Sequence, residues 1–230
     1  MRGNMSKDLS KKTLGIIHAS HITIKAMEPY IQKFIPEVQI MHLCDDTIQR
    51  DNIKAGAGVI PKVNYFKFAQ YAHNLEEAGV DLILLACSTF NYAAELGRPL
   101  VNVPIAQIDR PMMEKAVRTG KKIGMLATLA TTVPSSERLL DIAAAEAGVQ
   151  IERKTVLCSE AFEEYSKGNI ARHNEILVEA IDSLSQEVDC IVMAQLSMSA
   201  LAPYLKDTKV PVYNSGETGF TGVRRMLEEV

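Results

Sequence analysis

Cys87 is the residue whose type and position most directly suggest chemistry. It follows an apolar run at 82–86 and precedes the polar stretch 88–91. A thiol at the end of a buried strand would lie near free backbone amides and the start of a helix. Both favour the thiolate, the form that removes protons or attacks carbonyl carbons. The alternative is a structural thiol, because free cysteine is often a small core residue.

Other polar side chains also follow predicted strands. Thr128 and Thr131 come after one strand, and Asn214 and Ser215 come after another. Hydroxyls and free amides at such turns can bind a carboxylate without a metal, although the same residue types also cap helices. His18 follows the first predicted strand, where a histidine is a general base, a substrate contact or a hydrogen-bonded scaffold residue.

Parallel strands are the elements that must position these residues. Short aliphatic runs bounded by turn residues predict strands, and apolar residues spaced three or four apart predict helices. The predicted strands are 12–18, 38–43, 80–86, 100–104, 122–127, 150–156, 188–194 and 210–213. The predicted helices are 22–35, 62–78, 110–119, 135–147, 160–167, 170–187 and 216–229. This alternation predicts an α/β fold with parallel sheets covered on both faces.

An internal repeat divides the chain into two similar halves. Three segments recur in the same order, at offsets of 107 to 109 positions. The aligned pairs are 15–17 with 124–126, 81–89 with 189–197, and 103–107 with 210–214. We therefore predict two open parallel-sheet halves, 1–110 and 111–230, related by a pseudo-twofold axis. The last helix is a candidate for packing back on the first half.

The repeat makes position 195 the counterpart of Cys87. Ligands of open parallel sheets bind beyond the carboxyl ends of the strands. If the two halves face each other, Cys87 and Gln195 lie on opposite sides of one cleft. This arrangement suits an enzyme that acts on two faces of a small molecule.

Composition excludes several other classes of protein. The chain has 230 residues and a formal net charge of -3, which gives no broad basic surface for nucleic acid or an anionic membrane. Its apolar runs are far shorter than the roughly 20 residues that span a bilayer. Its four cysteines show no CxxC pairing, so neither a disulfide framework nor a local zinc site is expected. The polar N-terminus lacks a secretory signal pattern, so we expect a cytoplasmic protein with reduced thiols.

The segment Ala86-Cys-Ser-Thr89, followed by the turn that carries Thr128 and Thr131, resembles the aspartate/glutamate/hydantoin racemase superfamily. The resemblance covers nearly the whole chain. It implies a cofactor-independent, commonly dimeric enzyme in which a cysteine from each half faces one side of the substrate's acidic carbon. One thiolate would take the proton and the opposing thiol would return it.

The sequence departs from this family at the second thiol. The usual Gly-Cys-Thr-His motif here reads Ala194-Gln-Leu-Ser197, and the Asp-Ser pair after the first strand reads His18-Ala19. A carboxamide does not ionise near neutral pH, so Gln195 cannot exchange a proton as a thiol does. Ordinary two-thiol racemisation of glutamate or aspartate is therefore not expected.

The leading hypothesis is an isomerase or lyase that uses one thiol. Cys87 would move a proton at the carbon next to a carboxylate, and Gln195 would hydrogen-bond the substrate or an enolate-like intermediate. The expected substrate-binding residues are His18, Ser20, Ser88, Thr89, Thr128, Thr131, Ser197, Asn214 and Ser215. No metal or cofactor is expected, and one-sided protonation would suit a decarboxylase-like variant.

Two alternatives stay open. Cys87 could be the covalent nucleophile of a hydrolase or acyl-transfer enzyme, which would leave a thioester adduct. The protein could instead be a non-catalytic carboxylate-binding protein that kept the cleft after losing its second thiol.

Overall fold

The computed structural model describes residues 7–205 and 207–230, which contain eight strands in two parallel sheets. The first sheet has the order β2-β1-β3-β4 and the second the order β6-β5-β7-β8. Their strands are β1 (Thr13–His18), β2 (Gln39–Cys44), β3 (Leu82–Leu85), β4 (Ile105–Gln107), β5 (Lys122–Ala127), β6 (Glu152–Leu157), β7 (Cys190–Met193) and β8 (Val212–Asn214). The predicted α/β fold with two similar parallel sheets is confirmed.

Helices cover both faces of the sheets. They are α1 (Ile22–Phe34), α2 (Asp46–Ala55), α3 (Lys62–Glu77), α4 (Ala93–Gly97), α5 (Arg110–Thr119), α6 (Val133–Ala147), α7 (Ser159–Ser166), α8 (Ile170–Leu184) and α9 (Ser215–Glu229). Central strands β3 and β7 are buried at every position, which explains why they read as continuous apolar runs. Among the described residues, no helix is long and apolar enough to cross a membrane.

The sequence repeat corresponds to matching packing in the two halves. Gly15 of β1 and Gly124 of β5 each lie beneath a leucine from a covering helix. A Cβ atom would lie 2.9 Å from Cδ1 of Leu75 at the first glycine, and 2.8 Å from Cδ2 of Leu184 at the second. Both halves therefore use a glycine to let α3 or α8 approach its first strand closely.

An aspartate before the third strand of each half repeats in the same way. The carboxylate of Asp81 accepts hydrogen bonds from the Thr13 amide at 2.8 Å and from Lys12 Nζ at 2.9 Å. The carboxylate of Asp189 accepts from the amides of Lys121 and Lys122, both at 2.8 Å. Each aspartate therefore links, by hydrogen bonds, the start of its own strand to the start of the neighbouring strand.

The predicted strand at 100–104 is wrong, because β4 begins at Ile105. The amides of Asn102 and Val103 donate to the Glu76 side-chain oxygen Oε1, at 2.6 and 3.3 Å. Amides held by a side chain cannot take part in a sheet ladder.

Four helical segments of the described residues were not predicted. They are α2, α4 and two 3₁₀ helices, at Arg98–Leu100 and Leu196–Tyr204. α2 and the second 3₁₀ helix begin within three residues of a strand's carboxyl end, so they shape the edge of the sheets where ligands bind.

The last helix packs on the core of the first half. Phe220, Val223 and Leu227 of α9 lie in one hydrophobic cluster with Leu14 of β1 and Met27 of α1. Gly219 permits this close approach, since a Cβ there would lie 2.5 Å from the Ile108 carbonyl oxygen. The division of the chain at 110 and 111 stays a prediction.

Candidate active site

A cleft between the two halves collects most of the predicted site residues. Its volume is about 110 Å³, and it lies at the carboxyl ends of β1, β3, β5 and β7. The predicted residues that line it are Ser20, Cys87, Ser88, Thr89, Thr128, Thr131, Gln195 and Ser197. Cys87 and Gln195 come from opposite halves, as the repeat predicted.

Cys87 stands on the turn that follows β3. The Ala86 amide still donates to the Ile17 carbonyl of β1 at 3.0 Å, so the sheet holds the chain up to the residue before the thiol. The Phe90 amide then donates to the Cys87 carbonyl at 3.3 Å and closes the turn. The thiol side chain is partly exposed and lines the cleft.

The expected thiolate is not the favoured form of Cys87. Burial raises the pKa of the thiol to about 12, and the nearby Asp109 carboxylate raises it as well. The Phe90 and Thr89 amides lower the pKa, but by less than burial raises it. The next helix, α4, starts at Ala93. At neutral pH Cys87 is therefore a protonated thiol.

Thr128 fixes the orientation of the Gln195 amide. The side-chain oxygen Oε1 of Gln195 accepts from the Thr128 backbone amide at 2.6 Å and from Thr128 Oγ1 at 3.0 Å. Among the described residues, the nitrogen Nε2 makes no hydrogen bond. Because Gln195 lines the cleft, its amide hydrogens are available to a carbonyl or carboxylate oxygen there.

Hydrogen bonds join the two halves beside the thiol. Thr89 Oγ1 lies 2.9 Å from Thr132 Oγ1, and Ser135 Oγ donates to the Thr89 carbonyl at 2.6 Å. Asn91 Nδ2 donates to the Ser135 carbonyl at 3.3 Å. The turn after Cys87 is thereby anchored to the start of α6 in the other half.

The lining of the cleft carries no permanently charged side chain. Among the described residues that line it, none is aspartate, glutamate, lysine or arginine. The lining residues outside the predicted set are Ala19, Ile22, Thr23, Ala26, Gln49, Asn52, Ile53, Ala86, Ile108, Leu129, Thr132, Phe162, Tyr165, His173 and Leu196. The cleft offers hydroxyls and amides beside an apolar wall.

A buried carboxyl group lies behind the cleft. Asp109 follows β4 and has no exposed surface. Burial raises the pKa of its carboxyl group to about 6, and the Ser88 and Ser215 hydroxyls partly offset that rise. Neither hydroxyl completes a hydrogen bond of normal geometry to Asp109, so no described residue satisfies its oxygens.

Comparison with known proteins identifies the family. The family model for Asp/Glu/Hydantoin racemase matches residues 17–221. The chain belongs to this family. Membership supports a racemase-type activity, which is an isomerase activity.

Solved structures of racemases share the fold at low sequence identity. Aspartate racemase from Picrophilus torridus is 18% identical with a TM-score of 0.70, and the match covers 94% of each chain. A glutamate racemase isoform from Bacillus anthracis is 14% identical with a TM-score of 0.69, covering 96% of this chain and 83% of that one. Allantoin racemase from Klebsiella pneumoniae is 17% identical with a TM-score of 0.67, covering 94% and 87%.

In this member of the racemase family, His18 lies outside the cleft lining. Its Nδ1 is 2.7 Å from Thr23 Oγ1, and its Nε2 is 2.9 Å from His42 Nδ1. Burial lowers the pKa of His18 to about 4, and His42 adds to this effect. His18 is therefore a neutral, hydrogen-bonded residue beside the cleft, and its role as a substrate contact stays a prediction.

Asn214 and Ser215 also lie outside the cleft lining. Asn214 Oδ1 accepts from the Glu217 amide at 2.9 Å and caps α9. Ser215 is fully buried at the first position of α9, near Asp109. Asn214 and Ser215 lie outside the cleft because they form the start of α9, and α9 packs against the first half.

Sequence reasoning missed several polar residues at or just behind the cleft. Asn52 and His173 line it from helices α2 and α8, where no spacing pattern marked them. Asp109 lies just behind it, and its position after β4 was a usable signal, because polar residues at the carboxyl ends of parallel strands often serve ligands. No cluster of metal-ligating residues occurs in the part of the chain that the structure describes.

Proposed function

We propose that this racemase-family protein is an isomerase or lyase that moves a proton through a single thiol. The proton would be exchanged at the carbon next to the carboxylate of a small acid. One observation carries this proposal: Cys87 and the oriented amide of Gln195 line the same cleft from opposite halves. The proposal includes no cofactor, and homodimer formation stays a prediction from the family resemblance.

Cys87 suits the role of proton donor. A carbanion or enolate next to a carboxylate is a strong base, so a thiol with a pKa of about 12 can protonate it. In a decarboxylation the C–C bond to the carboxylate breaks and CO2 leaves, whereas in exchange the minor thiolate form of Cys87 removes the α-proton. The S–H bond then breaks, a C–H bond forms on the face towards Cys87, and after a decarboxylation water returns a proton to the thiolate. The same high pKa makes Cys87 a poor nucleophile, which argues against the covalent hydrolase alternative.

Gln195 suits the role of oxyanion donor. When the proton or carboxyl group leaves, negative charge moves onto the substrate oxygen. The Nε2 hydrogens of Gln195 are oriented to donate to that oxygen, because Thr128 holds the Oε1 end of the amide by two hydrogen bonds. Preorganised donors of this kind stabilise the transition state without first having to turn.

The neutral lining favours a substrate with at most one charge. Buried charges require an opposite charge or several hydrogen bonds, and the cleft offers only the latter. The Thr131 hydroxyl can donate to one carboxylate, whereas the Thr128 hydroxyl already donates its hydrogen to Gln195 Oε1. Among the lining residues that the structure describes, no carboxylate can pair with an ammonium group, and no lysine or arginine can pair with a second carboxylate. Ile22, Ile53 and Phe162 provide an apolar wall for the remainder of the substrate.

Deuterium exchange tests the proposal. The protein would be incubated in D2O with N-carbamoyl-phenylalanine, which carries one carboxylate, and separately with phenylalanine, glutamate and aspartate. Loss of the α-proton signal by NMR is expected for the singly charged probe and not for the others. Cys87→Ser should slow the exchange by about 100-fold, the scale of losing a positioned acid or base.

Cys44→Ser is the matched control, because Cys44 is an exposed cysteine that does not line the cleft. It should exchange at the wild-type rate. If Cys87→Ser also exchanges at that rate, the one-thiol proposal is wrong. A thioester adduct detected by mass spectrometry on Cys87 would favour the hydrolase alternative instead.

A further inference from the structure

His173 is a titratable side chain on the wall that the C-terminal half contributes to the cleft. It lies in the first turn of α8, where its amide donates to the Asn169 carbonyl at 3.1 Å. The residue is only 4% exposed, yet it lines the same cleft as Cys87. The Tyr165 ring of α7 packs against it, with ring centroids 5.2 Å apart.

One hydrogen bond fixes the tautomer of the neutral His173 ring. Its Nδ1 lies 2.8 Å from the Ala161 carbonyl oxygen. A carbonyl oxygen only accepts, so Nδ1 carries the hydrogen and Nε2 keeps a free lone pair. Among the described residues, Nε2 has no hydrogen-bond partner. An imidazole held in this way is oriented as a base, in the same manner as metal-binding and catalytic histidines.

We infer that His173 Nε2 is the second proton-exchanging group of the cleft, in place of the thiol that position 195 lacks. This inference rests on the proposed function and deepens it. His173 belongs to the half opposite Cys87, which is the half that carries the second cysteine in a two-thiol enzyme. A carboxamide at position 195 cannot exchange protons, whereas an imidazole near neutral pH can.

The proton transfers balance without an oxidant or cofactor. Nε2 takes the α-proton, the C–H bond breaks, and its electron pair moves onto the carboxylate oxygen beside the Gln195 amide. The Cys87 S–H bond then breaks and a new C–H bond forms on the other face of the carbon. The enzyme is left with an imidazolium and a thiolate, and solvent transfers the proton back between them.

The test compares inversion with exchange in a His173→Asn variant. Asparagine keeps a donor near the position of Nδ1 for the Ala161 carbonyl, so the fold should be retained, but it removes Nε2. Inversion of N-carbamoyl-L-phenylalanine, followed by circular dichroism, should fall by about 100-fold. Deuterium exchange of the enantiomer whose α-proton faces Cys87 should persist, because the minor thiolate form of Cys87 removes that proton without His173. His73→Asn, which changes a half-exposed histidine on α3, is the matched control and should invert at the wild-type rate.

Three results would overturn the inference. Inversion by His173→Asn at the wild-type rate would exclude His173 as the base. A wild-type protein that exchanges one enantiomer without inverting it would show that no second group acts, while the one-thiol proposal would stand. Nitrogen-15 NMR of the wild-type protein does not depend on variant folding, and a His173 ring protonated at Nε2 alone would also exclude the role. Failure of the proposed function itself would appear separately, as undiminished exchange in Cys87→Ser of the enantiomer whose α-proton faces Cys87.

Discussion

Asp109→Asn should remove a pH-dependent loss of stability. The Asp109 carboxyl group has no exposed surface, and its pKa rises from 3.8 to about 6 because of burial. Below pH 3.8 the carboxyl is protonated in both folded and unfolded chains, so the full stability is present. Between pH 4 and 6 the unfolded chain ionises first, and stability falls as the pH rises. A rise of roughly two pKa units corresponds to about 3 kcal/mol.

Asparagine has nearly the same shape as aspartic acid and stays neutral, so it removes this titration. The variant should match the wild type near pH 3.5 and exceed it by about 3 kcal/mol at pH 8. The measurement is urea unfolding at a series of pH values. The difference between the two proteins is the quantity to examine, because the lowered pKa of His18 changes the stability in the opposite direction over nearly the same range.

Asp182→Asn is the control for this prediction, since Asp182 is an exposed aspartate on α8. A difference curve for Asp109→Asn that is flat between pH 4 and 8 would refute the reasoning, because it would mean that Asp109 is solvated or paired. A lower stability for the variant at pH 8 would show that the ionised carboxylate is stabilising.

Two further predictions concern the amide and the last helix. Gln195→Met should lower kcat by about 10² to 10³, the effect of losing one oxyanion donor, and should destabilise the fold by about 1–3 kcal/mol because the Thr128 amide loses its acceptor. Unchanged turnover would remove Gln195 from the mechanism. Gly219→Ala should cost about 1–3 kcal/mol in urea unfolding, because its Cβ would meet the Ile108 carbonyl oxygen, which is backbone and cannot turn aside. Thr221→Ala on the exposed side of α9 is its control, and equal losses would show that the helix shifts freely.

The internal repeat was the strongest predictor of the fold. Gly15 and Gly124 recur because each lets a covering helix approach the first strand of its half closely. The same packing requirement is therefore visible at two places in the sequence. The prediction of a strand at 100–104 failed because the Glu76 side chain captures the amides of that segment. Such a contact crosses 26 positions or more and leaves no local pattern in the sequence.

The site was predictable where it lies at strand ends and unpredictable where it lies on helices. Cys87, Gln195 and Thr128 follow strands, and they do line one cleft. His173 occupies a helix whose apolar spacing is ordinary, and only the tertiary fold places that residue on the wall of the cleft. The protonation state of Cys87 could not be predicted from the sequence either, because it depends on burial and on Asp109, which follows a different strand.

The packing of α9 has a consequence for how the protein is made. Phe220, Val223 and Leu227 complete the hydrophobic cluster around Leu14, yet they belong to the final helix of the chain. During synthesis the ribosome releases the segments of the first sheet long before it reaches these residues. The hydrophobic core of the first half can therefore be completed only after α9 has been translated. A truncation that removes α9 would destabilise the first half, although the second half contains the deleted residues.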